Sequence, residues 1–291
     1  MRIERVSKTI HRKQVLEQID FSIEPGKVTG IIGRNGAGKT TLLRMLVGII
    51  QPTTGDVKLD EKSIFTNPEL KQDIVFVPDS PEALKGYNIS EIERLYHDIY
   101  PRFDRELFYQ LLDRFSLPQN ARIGSFSKGM KALFALILAF STKAKYILLD
   151  EPTDGLDVIV KKRILQFIVE AVADYEVAVV ISSHRLDELE FLADSIIMLK
   201  QGKITESYSL DTLKDSYKKV QVVFPHGLPE SVQKIGTLLG QTGKVFILVL
   251  EGDLEKATSA LMAANPLYYE ELPLSLEDLF VAKLGGDDFV D

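Results

Sequence analysis

Residues 28–41 read Val28-Thr29-Gly30-Ile31-Ile32-Gly33-Arg34-Asn35-Gly36-Ala37-Gly38-Lys39-Thr40-Thr41. The apolar segment Val28 to Ile32 predicts a strand, Gly33 to Thr41 matches G-x-x-x-x-G-K-[ST], and Thr41 to Ile49 predicts a helix with apolar Leu42, Leu43, Leu46 and Val47. Strand, glycine-rich loop and helix in that order make a phosphate-binding loop. Its glycines, Gly33, Gly36 and Gly38, let the backbone around Asn35 and Ala37 turn N–H groups onto phosphate oxygens at a helix N-terminus. Lys39 would neutralise the β and γ phosphates, the Thr40 hydroxyl would ligate Mg²⁺, and Thr41 would sit beside it in the first turn. A glycine-rich turn with a nearby lysine is the competing reading, and the strand and helix on either side weigh against it.

Downstream, Tyr146-Ile147-Leu148-Leu149-Asp150-Glu151-Pro152 is an apolar strand ending in two acids. Asp150 could hold the Mg²⁺ water shell, and Glu151 could polarise a water for in-line attack on a γ-phosphate. Strand ends are also acidic simply because they meet solvent. The upstream phosphate loop favours the chemical reading.

The 291 residues suggest about two domains. Apolar residues at 45% and charged residues at 26% describe a folded chain, not a disordered one. Lys plus Arg total 35 against 42 Asp plus Glu, a net charge of −7 that supplies no bulk attraction for nucleic acid, and no nucleic-acid partner is expected. The absence of cysteine excludes disulfides, zinc thiolates and thiol catalysis. The N-terminal Met-Arg-Ile-Glu-Arg-Val lacks the apolar core of a secretory signal. No stretch reaches the roughly 18–20 apolar residues of a membrane span; the longest run, Ala132 to Phe140, predicts a buried helix. A membrane role would have to come through a partner.

Gln14 to Ile23 predicts a strand, turning at Glu24–Lys27. From Asp79 to Phe126 the chain predicts helices, a helical insert over about 80–130. Ser90 followed by Glu93 resembles a capping box for a helix carrying Ile92, Leu95, Tyr96 and Ile99, and Asp104 caps a second helix with Leu107, Leu111 and Phe115 on one stripe. Tyr146–Leu149 and Val177–Ser182, flanking a helix over Val158–Ala173, predict buried parallel strands. After Tyr217 the texture changes to short strands and helices, so we expect a domain of residues 1–216 and an α+β domain of 217–291.

Further motifs fall in a familiar order. Ser127-Lys128-Gly129-Met130-Lys131 resembles the ABC signature, Thr153-Asp154-Gly155-Leu156-Asp157 resembles the D-loop, and His184 resembles the switch histidine. Over about residues 1–210 the chain thus resembles the ATP-binding subunit of ABC transporters. Taken singly, Ser127 is at minimum an N-cap and a histidine after a strand is ordinarily a surface or packing residue. The resemblance implies a P-loop NTPase fold: an antiparallel β subdomain, a parallel-sheet core, the helical insert and the appended α+β domain. It implies ATP and Mg²⁺ as cofactors, Lys39, Glu151 and His184 as catalytic residues, and Thr40, Asp79 and Asp150 around the metal. It places Ser127, Gly129 and Asp157 across the interface with a second ATP-binding subunit, homodimeric or heterodimeric, because one chain's signature cannot serve its own phosphate loop.

Two departures stand out. Asp79 occupies the position where the family usually has glutamine, adding negative charge near a triphosphate. Ile10, with His11 next to it and Val15 downstream, falls where the family stacks an aromatic on adenine. Ser127–Lys131, Tyr100–Asp104 and Ser275–Phe280 resemble the type-2 exporter branch; Ser275 and Asp278 also fit a plain helix start. The resemblance implies a membrane-spanning permease contacting the insert, with Tyr87, Tyr96, Tyr100 and Phe103 as candidates that could equally pack inside it. The expectation is ATP-driven export of peptides or drugs at the cytoplasmic face of the membrane. The competing readings are a soluble ABC-type ATPase acting on ribosomes or DNA and a module that holds ATP without turnover.

Overall fold

In the computed structural model, which describes residues 1–80 and 82–284, the chain divides into two compact units, Met1–Ser207 and Tyr208–Asp291. The first runs β1 (Arg2–Ile10), β2 (Lys13–Ser22), β3 (Val28–Ile32), α1 (Lys39–Leu46), β4 (Thr54–Leu59), β5 (Lys62–Ser63) and β6 (Ile74–Val77). It continues with α2 (Ile89–Ile99), α3 (Arg105–Arg114), α4 (Lys128–Ser141), β7 (Tyr146–Asp150), α5 (Val158–Tyr175), β8 (Ala178–Ser183), α6 (Leu186–Leu192), β9 (Ser195–Lys200) and β10 (Lys203–Ser209).

Two sheets result. One has the order β2-β1-β4-β5, with its neighbours antiparallel; the other has the order β10-β9-β3-β8-β7-β6, parallel from β9 through β6. All the residues of β3, β7 and β8 are buried, as parallel strands covered on both faces require. α1 packs on β2 and β7, and its Leu42, Leu43, Met45 and Leu46 share one core with Ile3, Leu16, Ile31 and Leu148. That core clamps the helix following the glycine loop between the two sheets. α4 is buried from Leu133 to Ser141, matching the reading of its apolar run. No helix among the described residues is long and apolar enough to cross a membrane.

The insert departs from the expected detail. α2 is capped by Asn88, whose side chain accepts from the Glu91 N–H while Glu91 accepts from the Asn88 N–H. The Ser90–Glu93 box is therefore displaced two residues toward the C-terminus of the real one. Glu93 is buried instead and pairs with Arg105 at 2.5 Å. Ile89 and Ile92 face inward, whereas Leu95 and Ile99 are exposed. Asp104 does cap α3, but the buried stripe is Phe108, Leu111 and Leu112, with Leu107 and Phe115 only half-buried.

The second unit consists of α7 (Leu210–Ser216), β11 (Tyr217–Val223), α8 (Glu230–Gln233), β12 (Gly236–Thr242), β13 (Val245–Glu251), α9 (Leu254–Ala263), β14 (Tyr268–Leu272) and α10 (Leu276–Leu284). Its antiparallel sheet, ordered β12-β13-β11-β14, has β-α-β-β-α-β connectivity. Val220, Val222, Phe246, Leu248 and Leu250 form its core with Val232, Ala257 and Leu261. The division at Ser207–Tyr208 lies ahead of the expected boundary after residue 216, because α7 packs on β11. Residues 285–291 of the expected second domain lie outside the described residues.

Candidate active site

β3, β8, β7 and β6 are successive neighbours in one parallel sheet, so their C-terminal ends share an edge. Such edges are where α/β sheets bind ligands. The glycine loop, His184, the Asp150–Glu151 pair and Asp79 follow those four ends. In register, Ile32 lies opposite Ser183, Asp150 opposite Ser182 and Val77 opposite Leu149.

The glycine loop owes its shape to close approach. Gly38 has φ 110°, and a Cβ there would lie 2.8 Å from a Leu16 methyl and 3.2 Å from the Val15 carbonyl. β2 thus presses on the loop at Val15. Gly33 likewise has no room for a Cβ beside the Leu199 carbonyl. Gly38 offers α1 no side-chain cap, leaving the first-turn N–H groups to meet an anion. Thr40 and Thr41 are half-buried in that turn, and Arg34, Asn35 and Gly36 are exposed at the loop's crest.

Lys39 is only 4% exposed; its Nζ donates to the Gly33 carbonyl at 2.6 Å and lies 3.0 Å from Glu151 Oε1. The other Glu151 oxygen, Oε2, is 2.9 Å from His184 Nδ1. Glu151 stands in the left-handed region, φ 45°, its N–H anchored by the Ser182 carbonyl and hydroxyl at 3.2 and 3.0 Å. That uncommon conformation for a non-glycine residue occurs at the turn where the chain leaves β7. Burial pushes the Glu151 carboxyl up, but Lys39 and His184 outweigh it and hold the group below its ordinary value. Asp150, 2% exposed, accepts from Ser182 Oγ at 2.7 Å.

Asp79 is exposed, with its carboxylate accepting from the Ser80 N–H at 2.8 Å. It lines a cavity of about 280 Å³ with Lys128, Lys131 and Asp154. Ser127 caps α4 by accepting from the Met130 N–H, and Asp157 caps α5 by accepting from the Ile159 and Val160 N–H groups. The signature adjoins the D-loop and the helix after it: a Cβ on Gly155 would meet Lys128 Nζ, and one on Gly129 would lie 2.8 Å from Val160 of α5. Ile10 ends β1 and pairs with Lys13; His11 and Arg12 between them both have positive φ, the two-residue hairpin geometry usually reserved for Asn-Gly. Among the insert's aromatics, Phe103 is core, Tyr87 is exposed, and Tyr96 stacks on Tyr100 at 5.6 Å.

Oxygen donors on Thr40, Asp150 and Asp79 are the hard ligands that Mg²⁺ takes. Glu151, Asp154 and His184 also bring ligand atoms within 4.8 Å of one another. In the sequence Ser182 reads only as the end of an apolar strand, and nothing there singles out Ser183, Lys161 or Glu188. A serine closing an apolar strand is a usable signal for a buried polar anchor.

The ABC transporter family profile matches residues 16–154. The chain is 33% identical to the ABC transporter ATP-binding protein YtrB of Bacillus subtilis (strain 168) over 285 residues, 98% of each chain. It is 27% identical to the bacitracin transport ATP-binding protein BcrA of Bacillus licheniformis, covering 97% of this chain and 96% of that one. Among solved structures, an ATP-binding subunit of an ABC transporter superposes with TM-score 0.65 at 24% identity, over 74% of this chain and 91% of the other.

Proposed function

The chain belongs to the ATP-binding proteins of ABC transporters, and from that premise we propose which of its residues do the work. It binds and hydrolyses ATP to drive transport through a separate membrane permease. The observation that carries the assignment of roles is Glu151 held between Lys39 and His184. An arriving triphosphate competes for Lys39 with several charged oxygens against one carboxylate. Glu151, released from Lys39 and still beside His184, then accepts a proton from the attacking water, while His184 orients it and meets the γ-phosphate. Thr40 and Asp150, with Asp79 as a further donor, would hold Mg²⁺, which when bound neutralises charge between the β and γ phosphates. The glycine-loop N–H groups seat the phosphates, and the hairpin tip at Ile10 and His11, with Val15, contacts the base.

Ser127, Gly129 and Asp157 serve the ATP bound by a second ATP-binding subunit. Their neighbours Val158 and Ile159, 80% and 74% exposed on the first turn of α5, are apolar surface suited to such an interface. On the insert Leu95 and Ile99, one turn apart on α2, are exposed apolar side chains, as is Tyr87 ahead of the helix, and we assign this surface to the permease. The protein then works at the cytoplasmic face of the membrane. Export of peptides or drugs is supported by the relative named for bacitracin transport. The charge of −7 gives no support to a nucleic-acid partner.

Glu151→Gln tests the assignment. ATP turnover should fall about 10²–10⁴-fold, the usual contribution of a general base, with ATP-bound dimers accumulating in size-exclusion chromatography. Full turnover would remove Glu151 from its role.

A further inference from the structure

Glu188 is a carboxylate 3% exposed at the start of α6, four residues beyond the switch histidine. Oε2 accepts from Thr153 Oγ1 at 2.6 Å and from Ser183 Oγ at 3.2 Å. Oε1 faces Lys161 Nζ at 2.7 Å and Arg185 Nε at 3.2 Å. Burying a carboxylate is costly unless charge and hydrogen bonds compensate it. Here two hydroxyls bond Oε2, while Oε1, which accepts no hydrogen bond, is compensated by the charges of two cations, and the four groups come from separate parts of the chain. Thr153 follows Glu151 by two residues, Ser183 and Arg185 flank His184, and Lys161 lies on α5 beyond the D-loop.

The contacts interlock. Ser183 Oγ donates to Glu188 and accepts the Arg185 N–H at 3.0 Å, closing the backbone around His184. Thr153 is itself 1% exposed, so the D-loop end of the bridge has no water to substitute for it. Oε2 of Glu188 thus joins the segment carrying the base, through Thr153, to the segment carrying the histidine, through Ser183, while Oε1 faces Lys161 and Arg185; Oε2 of Glu151 meets His184 Nδ1 at 2.9 Å.

We propose that Glu188 is a positioning residue for hydrolysis: by tying Thr153 to Ser183 and Arg185 it fixes the Glu151–His184 contact and couples the D-loop helix to it through Lys161. Glu188 touches no reacting atom and acts through His184. The inference rests on the reading of Glu151 and His184 as the hydrolytic pair.

The test is a double-mutant cycle of steady-state ATPase kinetics with Glu188→Gln, His184→Ala and their combination. Glu188→Gln should lower kcat by about tenfold or more while KM changes less than about twofold, and should add almost nothing in the His184→Ala background, since residues acting as a unit are non-additive. The same loss in both backgrounds, or an unchanged kcat, overturns the proposal. Thr153→Val removes one hydroxyl from the bridge at nearly constant shape; it should lower kcat by about threefold with KM unchanged, and it carries the same cycle if Glu188→Gln does not fold. Glu151→Gln, measured alongside, separates the two claims: full turnover there refutes the hydrolytic pair, whereas lost turnover with an additive Glu188 cycle refutes only the positioning role.

Discussion

The two units bury different things. In Met1–Ser207 the buried set includes Lys39, Asp150, Thr153, Ser182, Ser183 and Glu188 beside the apolar core, whereas in Tyr208–Asp291 the described fully buried side chains are all apolar or aromatic. The second unit keeps its ion pairs at the surface or half-buried, as with Lys218–Glu271 and Lys219–Asp278. Desolvated charge costs stability and persists where a site needs fixed, strong electrostatics. The contrast sets the first unit, which carries the candidate site, apart from the second, whose described core is apolar and aromatic.

The largest test of that contrast lies in the second unit's core. Phe246→Ala should destabilise that unit by about 3–5 kcal/mol and leave ATP affinity unchanged; a matching loss of ATP affinity in equilibrium binding would break the division. Next, Lys39→Ala should weaken ATP binding by about 1.5–3 kcal/mol, the worth of a hydrogen bond to a charged group, with little change in the melting of the second unit.

A smaller effect concerns Asp278. Burial pushes its carboxyl up, but Lys219 and the Ser275 hydrogen bonds outweigh this and hold it below its ordinary 3.8. Its contribution is therefore complete above pH 3.8 and disappears as the pH falls through the lower folded value. Asp278→Asn should cost about 1 kcal/mol at neutral pH and flatten that part of the acid-unfolding profile, read by calorimetry. Smallest for stability is Leu95→Asp with Ile99→Asp, within about 0.5 kcal/mol because both are exposed. We expect the pair to lose co-purification with a membrane permease at undiminished basal ATPase activity.

Legibility in the sequence followed the range of the determining contacts. Gly33–Thr41 was readable because the glycines, the lysine and the flanking strand and helix are contiguous. The cap of α2 was misplaced because Asn88 and Ser90 are both good caps; the bridge pairing Asn88 with Arg122 holds Asn88 extended and decides between them. Helical periodicity allows α3 either stripe, and Phe108 faces inward because Phe103 and Phe134 receive its ring. β12, reading Gly236-Thr237-Leu238-Leu239-Gly240-Gln241-Thr242, was not foreseen: it is an edge strand with a register shift and little apolar contrast.

By itself the sequence determined the chemical groups: a phosphate-seating loop, two acids at the end of a buried strand, a histidine after another, and a signature segment. Their order along the chain also determined a parallel sheet. Only the tertiary structure decided that Lys39, Glu151 and His184 meet, that Ser182 anchors both acids, and that Glu188 ties Thr153 to the histidine segment. The physical reason is distance in sequence. Spacing along one strand or helix is set by local geometry, whereas contacts across more than thirty residues exist only once strand register and packing have placed both partners.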